Sequence, residues 1–239
     1  MSCSIRLERE KAGLLTGKML LYALPGACSL ASHIALESIS ERNPGETIPW
    51  EVVVLQRGRN YDPEYTAVNP LGSVPALVTP DGRLIVESLA VLMHIAEAHP
   101  EARIAPPGGD PDRDRLLMLL SLMATSGHSA FQMLWRSERF ADTEEARASV
   151  QRMCEQRLAK LFERLEKEIG PSGYLVGSGL SVADMYLFVV GRWGLRLARP
   201  TSHYPRLWAF TQRMAELGVV QRAMAREGIA LEGPKAGLG

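Results

Sequence analysis

Cysteine is scarce in this chain: three residues, Cys3, Cys28 and Cys154, odd in number and far apart. No two stand at zinc or disulfide spacing, which excludes a disulfide framework and points to a reducing compartment, the cytoplasm. Net charge is missing as well, since Lys and Arg total 27 and Asp and Glu also total 27. A nucleic-acid binder would carry a basic excess or stripe. The nearest approach, Arg192, Arg196 and Arg199, reads as decoration of a helix surface, so no nucleic-acid partner is expected. The longest apolar run, "LLMLLSLMA" at 116–124, is too short to span a bilayer and suits a buried helix, so no membrane partner is expected either. Phosphate-loop and hydrolase signatures (G-x-G-x-x-G, G-x-x-x-x-G-K, G-x-S-x-G) do not occur. The five histidines, at 33, 94, 99, 128 and 203, avoid metal-ligand spacing such as H-x-x-x-H. No metal is expected.

What remains is a globular chain of 239 residues, 46% hydrophobic and 23% charged, long enough to bury one large core or two small ones. Residues 1–18 are too charged for a signal peptide and read as a disordered extension, or as a start codon read too early. From Met19 the order of elements is legible. "MLLYAL" (19–24) is a short buried strand, closed by the turn Pro25-Gly26. The apolar spacing from Cys28 to Leu36 is helical, and "IPWEVVVLQ" (48–56) is a β-branched strand. "VNPLGSVPALV" (68–78) is a turn followed by a strand, and Asp81-Gly82 is a hairpin signal leading into "RLIVE" (83–87). Ser88 reads as the N-cap of the helix that follows. Four prolines and two glycines break the pattern at 99–112, which reads as a linker. Beyond it the periodicity is helical over 113–136, 143–169, 181–196 and 204–226. An α/β domain (19–98) is thus followed by an all-α domain (113–230) and a short tail (231–239).

Four places could carry chemistry. Cys28 stands at a predicted helix start, where unpaired N–H groups and the positive end of the helix dipole favour thiolate over thiol. On that reading its thiol titrates below the ordinary value, near about 6–7; the alternative is a small buried hydrophobe. Ala31 follows at the third position, so there is no C-x-x-C dithiol. Ser73-Val74-Pro75-Ala76 places a proline at the first residue of a strand, unremarkable by itself. Glu87-Ser88 marks a strand-to-helix corner, either a plain cap or a carboxylate site built from helix N–H groups and a hydroxyl. Ser181-Val182-Ala183-Asp184 is a capping box before an almost wholly apolar helix, and its reading is structural. His128 lies in a long predicted helix beside Ser126 and Gly127.

Taken in order, "LYALPGACSLASHIAL", "VNPLGSVPALVTPDGRLIVES" and "YLVGSGLSVADMYLFVV" resemble the cytosolic glutathione transferases, and among them the bacterial beta class. The resemblance runs from Met19 to about Ile229. It implies a thioredoxin-like N-terminal domain joined to an all-helical C-terminal domain, and a homodimer. It places Cys28 at the beta-class cysteine and Pro75 at the family's cis-proline. Val74 would pair its backbone with the cysteinyl part of glutathione, and Glu87 and Ser88 would hold the γ-glutamyl end. His128 and Trp193 would face the second substrate, while Ser181 and Asp184 keep a capping role. Two features depart from the pattern. Pro63 stands near the place of a lysine that contacts the glycyl carboxylate, with Arg57 or Arg59 as substitutes, and Ser121 stands where relatives offer an asparagine.

The resemblance implies an enzyme that conjugates reduced glutathione, its co-substrate, to a small electrophile in detoxification. The alternatives are a glutathione-dependent monothiol disulfide reductase acting through Cys28, and a non-catalytic interaction module of the same fold.

Overall fold

The computed structural model describes residues 17–45 and 49–231. Expectations for residues 1–16 and 232–239, the bulk of the leading extension and of the tail, lie outside the described residues. The chain divides into two compact units. One comprises the chain up to Ile104 together with Val219–Ile229; the other comprises Ala105–Gly218 and the residues from Ala230 onward.

The first unit is a thioredoxin-like sheet with helices. Its elements are β1 (Met19–Ala23), α1 (Ser29–Arg42), β2 (Trp50–Val54), α2 (Pro63–Thr66), β3 (Ala76–Val78), β4 (Leu84–Val86) and α3 (Ser88–Ala98). The strand order is β2-β1-β3-β4. β1 runs parallel to β2, with Leu21 beside Val52, and antiparallel to β3, with Leu21 beside Leu77. β4 turns back on β3 through Asp81-Gly82, where Gly82 has a φ of 78°. Met19, Leu21 and Ala23 are fully buried, which explains why the central strand reads as a continuous apolar run. α1 packs on β1 and α3 and is buried from Ser29 to Ile39, apolar and small polar residues alike.

The second unit holds α4 (Pro111–Leu122), a π-helical turn (Met123–His128), α5 (Ser129–Trp135), α6 (Glu144–Glu168), α7 (Val182–Gly194) and α8 (Pro205–Glu216). Every residue of α7 is buried, so this helix is the core of the unit, as its apolar circumference requires.

Two differences from the sequence reading concern the C-terminal end. The helical stretch expected over 204–226 is two helices. Leu217 is extended, at φ −68° and ψ 133°, and separates α8 from α9 (Gly218–Arg226). α9 also groups with the first unit rather than with the helical domain assigned to 113–230. Charge explains the grouping: Arg222 Nε lies 2.8 Å from Glu37 Oε2 and its other nitrogen 2.8 Å from Glu41, both on α1. The Arg226 guanidinium covers the Trp50 ring at 5.4 Å. The boundary at Ile104 falls inside the stretch read as a linker, which carries the 3-10 turn Pro100–Ala102 and the first two residues of α4.

Candidate functional site

In the first unit, Cys28, Val74, Pro75, Glu87 and Ser88 come together. Cys28 is the residue just before α1, and its side chain is buried. Its Sγ–H donates to the Val74 carbonyl at 3.1 Å. The next peptide bond, Val74–Pro75, is cis. The Ser88 side chain and the Cys28 and Ser29 N–H groups lie near the sulfur and act to lower its pKa. These three contacts favour thiolate, yet burial outweighs them and pushes the thiol up to about 11, with the Glu87 charge adding in the same direction. The acidic thiol expected of a helix-start cysteine is therefore not what this site holds. A helix terminus lowers a thiol that water can reach; here desolvation is the larger effect, and the thiol is a protonated donor at neutral pH.

Ser88 also differs from its expected place. α3 begins at Ser88 itself and Glu87 is the cap, with no side-chain capping bond, so the serine is the first residue of the helix and not its cap. Glu87 has φ 73°, one of two non-glycine residues among those described with a positive φ. A left-handed glutamate at a strand-to-helix corner is strained, and such strain persists where surrounding structure imposes it.

The segment carrying Val74 is pinned from behind. The Tyr65 hydroxyl donates to the Ser73 carbonyl at 2.5 Å and the Asn69 amide to the same oxygen at 2.8 Å. The Asn60 amide donates to the Gly72 carbonyl at 2.7 Å. Gly72 has φ 62°, and a Cβ there would stand 2.8 Å from the Asn60 carbonyl oxygen, so this turn admits only glycine. Val74 N–H makes no hydrogen bond among the described residues, which leaves an unpaired backbone donor beside the thiol. Burial pushes the Tyr65 phenol up to about 12, keeping it a donor.

On the other side of Cys28, the Gly26 N–H donates to Glu227 Oε2 at 2.8 Å, and Glu227 Oε1 lies 3.0 Å from His33 Nδ1. Arg57 donates to the Pro25 carbonyl at 2.9 Å, and Arg59 pairs with Asp62 at 3.5 Å. Glu227, Tyr65, Asn69 and Asn60 went unremarked in the sequence. Tyr65 and Asn69 sit at i and i+4, a spacing that could have flagged a shared target; Glu227 is too far along the chain for any local signal.

In the second unit, His128 ends the π-helical turn, an uncommon widening that recurs at functional positions. Its ring lies 5.1 Å from that of Trp193, which also meets Phe131 at 5.4 Å and Trp135 at 5.5 Å. Burial lowers His128 to about 4, so the imidazole is neutral. Its Nδ1 is 3.1 Å from the Tyr186 hydroxyl. Ser181 and Asp184 lie apart from this cluster, at the start of α7. The Asp184 carboxylate accepts the Ser181 N–H at 2.9 Å, the Ser181 hydroxyl at 2.6 Å and the Leu175 N–H at 2.8 Å.

Among the described residues no cluster of His, Cys, Asp and Glu could hold a metal ion, and no helix is long and apolar enough to cross a membrane.

Family models for the glutathione S-transferase N-terminal and C-terminal domains match residues 46–98 and 119–217. The chain is 35% identical to glutathione S-transferase GstA of Escherichia coli O157:H7 over 213 residues, 88% of this chain and 100% of that protein. Among solved structures, the bacterial beta class glutathione S-transferase of Sphingomonas chungbukensis superposes with a TM-score of 0.74 at 32% identity, covering 87% of this chain and 98% of that one. A glutathione transferase homolog from Sulfitobacter, with bound glutathione, gives 0.79 at 27% identity over 88% and 99%. The chain belongs to the glutathione S-transferase family.

Proposed function

We propose that this protein is a glutathione transferase that conjugates reduced glutathione to small electrophiles in detoxification, working in the cytoplasm as a homodimer and without a metal. The observation that carries the reading is the unpaired Val74 N–H beside a buried Cys28 thiol and the Glu87-Ser88 corner. Val74 N–H and C=O would pair with the cysteinyl part of glutathione in the manner of a β-bridge. Ser88 and the first N–H groups of α3 suit the γ-glutamyl carboxylate, and the Glu87 carboxylate suits its ammonium. Arg57, held on the Pro25 carbonyl, is the cation assigned to the glycyl carboxylate in place of the family's lysine.

Glutathione itself titrates near the ordinary thiol value of about 8.5 and is mostly thiol at neutral pH. Cys28, protonated and buried, would donate its S–H to the bound sulfur and stabilise that sulfur as thiolate, the attacking species. On this arrangement the Val74 carbonyl, which accepts the S–H when glutathione is absent, is exchanged for the ligand. A protonated Cys28 supports conjugation over the monothiol reductase route, which needs Cys28 itself as thiolate. His128 and Trp193, with the aromatic rings around them, are proposed to receive the electrophile.

Calorimetric titration with reduced glutathione, followed by a chlorodinitrobenzene conjugation assay, tests the reading. Saturable binding with measurable turnover is expected. A protein that binds no glutathione, or binds it and turns over only disulfides, would refute it.

A further inference from the structure

We propose that Tyr186 is a positioning residue for the conjugation reaction: its hydroxyl holds His128 in the Nε2–H tautomer, so that a ligand against the aromatic cluster meets a fixed N–H donor. The inference rests on the reading of His128 as a second-substrate residue and deepens it, by naming the group that decides which ring nitrogen donates.

The geometry is immobile on both sides of the hydrogen bond. Tyr186 is fully buried on α7, a helix with no exposed residue whose first turn is fastened by Ser181 and Asp184. The imidazole packs at a 54° tilt against Trp193, from the same helix, which bounds its plane as the phenol bounds its edge. The π-helical turn from Met123 to His128 inserts an extra residue into the helical path and thereby changes the direction in which His128 leaves the backbone.

Chemistry then orders the proton. Across the 3.1 Å contact stand a phenol and an imidazole that burial keeps neutral. The phenol O–H, with an ordinary pKa of about 10, is the better donor, and the imidazole lone pair the better acceptor. Nδ1 therefore accepts, and the single ring hydrogen resides on Nε2. Among the described residues the group facing Nε2 is the Gln132 side-chain amide nitrogen at 3.5 Å, at the outer limit of a hydrogen bond. Two N–H groups do not bond each other, so with the proton on Nε2 this contact carries no bond and the N–H keeps its donor capacity for a ligand. A neutral N–H donor suits an electrophile with an oxygen that gains negative charge as sulfur adds to the adjoining carbon system. The opposite tautomer would present a lone pair and repel that oxygen.

The test uses the full-length protein with isotope-labelled histidine nitrogens and long-range proton–nitrogen correlation NMR, with His128→Gln assigning the signal. The wild type is expected to show the Nε2–H pattern at His128, and Tyr186→Phe, which keeps the ring and its packing, a mixture or the Nδ1–H pattern. In conjugation assays Tyr186→Phe should lower kcat about three- to tenfold, leaving KM for glutathione unchanged, and should have no further effect in a His128→Ala background. A wild-type Nδ1–H pattern overturns the proposal without any variant. So does a Tyr186→Phe protein with unaltered tautomer, or one whose kcat loss persists in the double variant. A His128→Ala protein with wild-type turnover would instead refute the role of His128, while the tautomer measurement would stand by itself.

Discussion

His33 and Glu227, 194 positions apart in the chain, form a buried pair with Nδ1 and Oε1 at 3.0 Å and no solvent exposure on either side chain. The second carboxylate oxygen takes the Gly26 N–H, two residues before Cys28. One side chain from the far end of the sequence thus closes the turn that presents the thiol. Replacing Glu227 by Ala leaves a buried imidazole and a buried N–H without their acceptor. Leaving a buried polar group without its partner costs about 1–3 kcal/mol, and chemical denaturation should show a loss of stability of about that size. A Glu227→Ala protein with the wild-type midpoint would remove the pair from the stability of the unit.

The Cys28 thiol sets a pH dependence. Its folded pKa is raised to about 11, above the unfolded value of about 8.5. The folded state therefore holds the proton more tightly. The associated stability is fully present below about pH 8.5 and is lost as pH rises through 11. Alkylation of Cys28 by iodoacetamide should climb about tenfold per pH unit from neutrality with no plateau near 8.5, because thiolate is the reacting form. A plateau at or below 8.5 would show the thiol to be ordinary or acidic.

Ser88→Ala separates binding from folding. The hydroxyl lies near the Cys28 sulfur and does not cap α3, so thermal unfolding should change little. A hydrogen bond to a charged group contributes about 1.5–3 kcal/mol, so glutathione affinity should fall roughly tenfold or more by calorimetry. An unchanged dissociation constant would exclude Ser88 from the γ-glutamyl site.

Gly194 tests the packing of α7. A Cβ there would overlap the Phe162 ring and the Thr201 hydroxyl, both buried. Gly194→Ala should destabilise the protein by about 1–3 kcal/mol through overpacking. Gly108→Ala, with nothing within 4 Å of the added carbon, should be close to neutral. Equal melting temperatures for the two variants would contradict the close approach.

How far the sequence reveals this structure depends on the range of the interactions involved. β1, the Asp81-Gly82 hairpin and the start of α7 are written in local patterns: a buried apolar run, a left-handed glycine, and a serine with an acid three residues on. Cys28, Val74 and Ser88 could be singled out because order along the chain resembles a family, although none of the three carries a distinctive local signal. The acidity of Cys28 was not legible, because it depends on how completely neighbours remote in sequence exclude water from the sulfur. Glu227 and Tyr186 were invisible for a related reason. Each acts on a partner tens to hundreds of residues away, and no periodicity records a single side chain's target. The break at Leu217 escaped because both flanking stretches are amphipathic helices and a one-residue interruption leaves the pattern almost intact.

The grouping of α9 with the first unit has a consequence for biosynthesis. A ribosome releases β1, α1 and the Cys28 turn early, but Glu227 emerges only after the whole helical unit has been made. Until then the nascent chain lacks the Glu227 carboxylate that His33 Nδ1 and the Gly26 N–H meet in the folded protein. A truncated product ending before residue 227 therefore lacks the carboxylate that fastens the Gly26 end of the thiol turn.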